Sequence, residues 1–166
     1  FVSGFISFVS DAIMSVSTMA VAFLILLVIV LIGILFDVIG VAVTSADEKP
    51  FHSMAARKVP GAQESIRLLR NAERVSSICN DVVGDICGVV SGSASATIAA
   101  QVLNHFEFSW PQAVGLIMSA LVAGLTVGGK AVGKTFAIGS CTVIVQSVGK
   151  VIWWLRHWPE LFKKRK

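Results

Sequence analysis

The residues Met19 to Phe36, MAVAFLILLVIVLIGILF, carry no charge, and apolar character resumes after Asp37 through Val43. About 20 such residues at 1.5 Å rise cross a ~30 Å hydrocarbon core, so the pattern predicts a first span over 18–43. Ahead of it, Val2, Phe5, Ile6, Val9, Ile13 and Val16 share one helical stripe, which predicts an amphipathic helix over 1–17 lying at the interface, or the end of a longer first helix. Ser45-Ala-Asp-Glu48 has the form of a capping box. A short basic helix is expected after it, broken at Val59-Pro60-Gly61, and a second from Ala62 to about Asn71. That second helix is expected to turn Ile66 and Leu69 to the membrane and Arg67 and Arg70 to water.

Residues 75–102 form a second predicted span of another kind, with Asn80, Asp81 and Asp85 in it and Gly84, Gly88 and Gly92 four residues apart. Small residues at that spacing let helix backbones approach closely. Pro111 opens a third span over 111–129, where Gly115, Ser119 and Ala123 repeat the spacing. Residues 135–156 are long enough to cross, but they hold Ser140, Thr142, Gln146, Ser147 and Lys150. An interfacial or re-entrant helix is expected there, ending with Trp153, Trp154 and Trp158 at headgroup level.

Composition agrees with a lipid solvent. Of 166 residues 55% are hydrophobic and 14% charged, with a mean hydropathy of +0.80, whereas soluble domains run about 25% charged. The net charge is +4, and the 14 Lys and Arg fall only in Lys49 to Arg74, at Lys130 and Lys134, and in Lys150 to Lys166. Such segregation is a topology signal. Three spans put the basic 44–74 connector and the basic tail 157–166 on one side, and the N-terminus and the charge-free 103–110 connector on the other. The expectation is a multi-pass cell-membrane protein, N-terminus outside and C-terminus cytoplasmic. The Lys163–Lys166 cluster then suits anionic lipid better than nucleic acid.

Enzyme chemistry is not indicated. His52, His105 and His157 are scattered, and Cys79, Cys87 and Cys141 have neither zinc nor disulfide spacing. They are expected to be small core hydrophobes. Gly128 to Thr135 fits the phosphate-loop pattern G-x-x-x-x-G-K-[ST]. It follows a membrane span rather than a buried strand, so no nucleotide site is expected.

Ionisable groups inside a membrane are functional candidates. Asp37, Asp81, Asp85, Lys130 and Lys134 all fall in the same half of the predicted bundle. Asp81 and Asp85, four apart, are expected on one helix face with Asn80 beside it. Carboxylate and amide oxygens suit a hard cation such as Mg²⁺ or Ca²⁺, making Asp37, Asn80, Asp81 and Asp85 a candidate cation site. Equally, Lys130 and Lys134 can neutralise these carboxylates as buried ion pairs.

Three stretches resemble the transmembrane domain of the CNNM/CorC family, the cyclin M-type magnesium transporters. The first is Phe36-Asp-Val-Ile-Gly-Val-Ala-Val-Thr-Ser45 with Phe51-His-Ser-Met-Ala55. The second is Gly61-Ala62, Leu68-Leu69 and Val75-Ser-Ser-Ile-Cys-Asn80-Asp-Val-Val83. The third is Gly129-Lys-Ala-Val-Gly-Lys-Thr-Phe-Ala137. The resemblance covers about 19–156 and implies an all-α integral membrane fold of three transmembrane helices, an intracellular helical hairpin and a C-terminal juxtamembrane helix. It also implies a homodimer, or a hetero-oligomer joined through the Gly-rich helices, that transports or exports Mg²⁺. Gly40 and Lys130 stand where the family has glutamates and Gly133 where it has proline, and the family's CBS-pair domain is not expected. The alternative is a diverged, non-transporting subunit that binds a partner membrane protein.

Overall fold

The computed structural model describes residues 3–6, 19–105 and 111–163, with side-chain burial for 21–103 and 113–157. The described elements are all helical: α1 Met19–Ser45, α2 Lys49–Ala56, α3 Ala62–Arg70, α4 Ala72–Ser77, a π-helical segment Ile78–Val83, α5 Gly84–His105, α6 Pro111–Gly139 and α7 Cys141–Lys163. Three stretches are long and apolar enough to cross a bilayer: Val21–Ser45, Ala72–Leu103 and Ala113–Gly139. That is the signature of a multi-pass membrane protein. Most of the amphipathic 1–17 stripe, and residues 164–166 of the basic Lys163–Lys166 cluster, lie outside the described residues.

The chain divides into two compact units, Phe1–Phe36 with Val82–Val132, and Asp37–Asp81 with Gly133–Lys166. In the first, Ala22, Leu26 and Val30 recur one turn apart along α1 and bury against Ala94 and Ile98 of α5. Met118 and Val122 of α6 pack on this cluster. Leu24, Leu31 and Leu35 of α1 and Leu116, Leu121 and Leu125 of α6 are exposed, as lipid-facing positions are in a spanning helix. Close backbone approach occurs at Gly33, where a Cβ would stand 3.0 Å from the Cys87 Cβ, and at Gly129, where it would strike the Ile34 side chain. A Cβ on Gly88, Gly92 or Gly115 would meet nothing within 4 Å, while Gly84 is buried.

In the second unit, Phe51 of α2 and Leu69 of α3 bury with Ala42, Val43, Ala137 and Val145. Ile66 packs on the same cluster. Ile66 and Leu69 therefore face a protein core rather than lipid, while Arg67 and Arg70 are exposed as expected. The turn between α2 and α3 is a Schellman motif: Val59 N–H donates to Met54 C=O at 3.0 Å and Lys58 N–H to Ala55 C=O at 3.0 Å. The left-handed position of that motif is held by Lys58 at φ 56°, not by glycine. Gly61, at φ 84°, then starts α3 against α7. A Cβ on Gly61 would sit 2.5 Å from the Lys150 nitrogen, and one on Gly149 would strike the Ser65 hydroxyl. Ser65 is fully buried and donates to the carbonyls of Gly61, at 3.0 Å, and Val145, at 3.1 Å.

Several boundaries move. The capping box does not form, because α1 runs through Ser45 and α2 starts at Lys49 with Glu48 as its cap residue. Pro50 in the first turn of α2 has no N–H to receive a cap. Glu48 instead meets His52 at 3.2 Å and Arg70 at 3.9 Å. The third span does not stop at residue 129. It continues as α6 through Gly128–Thr135 to Gly139, and the helix expected from 135 starts at Cys141. The phosphate-loop pattern is thus helix throughout, with no strand before it among the described residues.

Candidate functional site

The second predicted span is not one uniform helix. Residues Ile78–Val83 are wound as π-helix between α4 and α5, a local widening often found at functional sites. Asn80 and Asp81 both lie in it. The widening changes the angular step between residues, so Asp81 and Asp85 lose the simple four-residue alignment of an α-helix. Both are exposed, and neither makes a side-chain hydrogen bond or ion pair with another described residue.

Asn80 is placed differently. Its Nδ2 donates to Ser76 Oγ at 3.1 Å, one turn earlier. Its Oδ1 is buried and accepts no hydrogen bond among the described residues. That amide occupies the space over Gly40 of α1, where a Cβ would come within 2.6 Å of Oδ1. Position 40 therefore requires glycine while Asn80 keeps this rotamer. Asp37, three residues before Gly40, lies one turn away along α1 and is 5% exposed. A buried carboxyl and a buried amide oxygen thus belong to neighbouring turns of the second unit. Thr44, one turn further on, returns its hydroxyl to Gly40 C=O at 3.2 Å.

The other candidates are distributed otherwise. Lys134 belongs to the same unit and is exposed, whereas Asp85 and Lys130 belong to the first unit. Among the described residues no three His, Cys, Asp or Glu come together as a metal-binding group. Cys79 is buried, Cys87 and Cys141 are half-buried, and all three are free thiols, in keeping with small core hydrophobes.

A second polar feature lies at the turn between α2 and α3. A cleft of about 470 Å³ is bordered there by Lys58, Glu64, Arg67, Trp153, Arg156 and His157. Glu64 Oε1 accepts from Arg67, at 3.0 Å, and from Arg156, at 3.1 Å. The sequence signals, a basic connector and a tryptophan-rich later helix, lie some 90 residues apart, and only folding joins them. Compared with family models, with curated proteins and with solved structures, the chain matches none.

Proposed function

We propose that this is a divalent-cation transport protein of the Mg²⁺ class, with its cation pathway passing Asp37 and Asn80 and with Asp81 as an outer oxygen ligand. The carrying observation is Asn80 Oδ1, a buried amide oxygen with no hydrogen-bond donor among the described residues. An unmet acceptor in such surroundings costs roughly 1–3 kcal/mol, and a passing cation would satisfy it. Mg²⁺ characteristically keeps several waters and is held by one or two carboxylates. One buried Asp and one amide suit a partly hydrated ion, and no cluster of three carboxylates is needed. The resemblance to CNNM/CorC transmembrane domains agrees in ion class, and the charge segregation agrees with a cytoplasmic C-terminus in the cell membrane.

The test is Mg²⁺ flux into liposomes carrying the full chain, read with an entrapped indicator. Asn80→Ala and Asp37→Asn are each expected to lower the flux at least tenfold, with Asp81→Asn smaller in effect. Flux no greater than in protein-free liposomes would remove the transport reading.

A second reading has its own support. None of the most apolar window of the Ala113–Gly139 span is buried within the chain, and Gly88, Gly92 and Gly115 are open. A groove of about 230 Å³ between α5 and α6 is lined by small residues, among them Gly88, Gly92 and Ser119. A subunit that packs these helices against a second copy or a partner membrane protein would leave the isolated chain in this state.

A further inference from the structure

The cleft at the α2–α3 turn has no part in the cation pathway. Its charge is unbalanced: Lys58, Arg67 and Arg156 face it, and Glu64 is the single carboxylate among its residues. Glu64 is shared, since Arg67 and Arg156 each spend one terminal nitrogen on it. A guanidinium has five N–H donors, so most donors of both arginines remain for another acceptor. Their side chains are 58% and 61% exposed while that of Glu64 is 12% exposed. The carboxylate thus braces two arginines from beneath and leaves two positive charges in excess with Lys58.

Lys58 adds an independent indication. It holds the left-handed position of a Schellman turn, where a side chain costs roughly 1–2 kcal/mol and glycine is usual. A lysine kept in that conformation is fixed at the cleft by its backbone. On the other wall, Trp153 stacks on His157 with ring centroids 4.6 Å apart, and His157 Nδ1 lies 2.9 Å from Trp153 C=O. The outer side of α7 exposes Val143, Val151, Trp154 and Leu155, the apolar face of a helix lying along a bilayer surface. Guanidinium forks, an ammonium and an adjacent tryptophan are the groups that recognise phosphate at a lipid–water boundary.

We infer that this cleft binds a phosphate group, presented as the headgroup of an anionic phospholipid. Arg67 and Arg156 supply bidentate donors and Lys58 the point charge. Three cations converge on one braced cleft beside the apolar face of α7, and that geometry selects the headgroup rather than a diffuse surface charge.

The test uses the full chain in neutral detergent, titrated with short-chain phosphatidylglycerol, short-chain phosphatidylcholine or inorganic phosphate and followed by tryptophan fluorescence. Phosphatidylglycerol is expected to bind saturably, and Lys58→Gly and Arg67→Gln to weaken it about tenfold each. Arg57→Gln, an exposed charge outside the cleft, is expected to change nothing. Lys58→Gly relieves the left-handed strain, so its thermal midpoint should be unchanged or higher, which separates lost binding from lost folding. Inorganic phosphate binding as tightly as the lipid, with the same variant losses, would support the phosphate chemistry with a soluble source. Equal binding of phosphatidylcholine, or equal weakening by Arg57→Gln and Lys58→Gly, would overturn the proposal.

Discussion

The two units bury their helices by different means. In the first, aliphatic side chains on α1 and α5 supply most of the contact, Gly33 and Gly129 each face a single side chain, and Gly88, Gly92 and Gly115 look into open space. In the second, glycines are the contact: Gly61 and Gly149 bring α3 and α7 to backbone distance, and a buried serine spans the crossing. The first arrangement tolerates change and leaves a small-residue face for a neighbour. The second is keyed to single atoms, which befits an element that must carry exposed charges at fixed positions.

That contrast can be broken at its firmest point. Gly149→Ala should destabilise the fold by about 3 kcal/mol, the upper end for overpacking, because the new methyl meets the Gly61 carbonyl at 2.6 Å and cannot be relieved by a rotamer change. A thermal melt of the detergent-solubilised chain should show it. Ser65→Ala should cost less, about 1–2 kcal/mol. It leaves the Val145 carbonyl without its side-chain donor, while the Gly61 carbonyl loses the hydroxyl but still accepts from Ser65 N–H. The smallest effect sharpens the comparison instead. Gly92→Ala in the first unit should stabilise the isolated chain by up to about 1 kcal/mol through helix propensity, since no atom stands in the way. If that face docks a second copy, the same change should lower the dimer fraction in crosslinking. Unchanged association would take the face out of the interface.

What could be read from the sequence follows the range of the physics involved. The uninterrupted run into Phe36 and the Val59-Pro60-Gly61 break are local signals, and α1, α2 and α3 lie where they indicate. Ser45 and Glu48 have capping spacing, but the apolar first helix runs through Ser45 and the next helix starts only at Lys49. The expected third span ends at residue 129, where the uncharged run meets Lys130. The helix nevertheless continues to Gly139, because a buried or lipid-facing backbone must satisfy its own hydrogen bonds. Neither the π-helical segment nor the seat of Asn80 over Gly40 leaves a local mark, since both depend on what packs beside them. Asp37 was singled out by its charge in an apolar helix and is indeed buried. Asp81 and Asp85 were singled out for the same reason and are exposed, so charge in a hydrophobic run marks a position without fixing its direction.

The lysine at the α2–α3 turn bears on how such a protein would respond to selection. Glycine at position 58 would suit the backbone better, so a library screened only for heat resistance should enrich that replacement early. If the cation there serves a lipid, a screen that includes membrane association should hold the lysine in place. Two populations evolved under those regimes would then separate at this codon first, and the divergence would report what the strained turn is for.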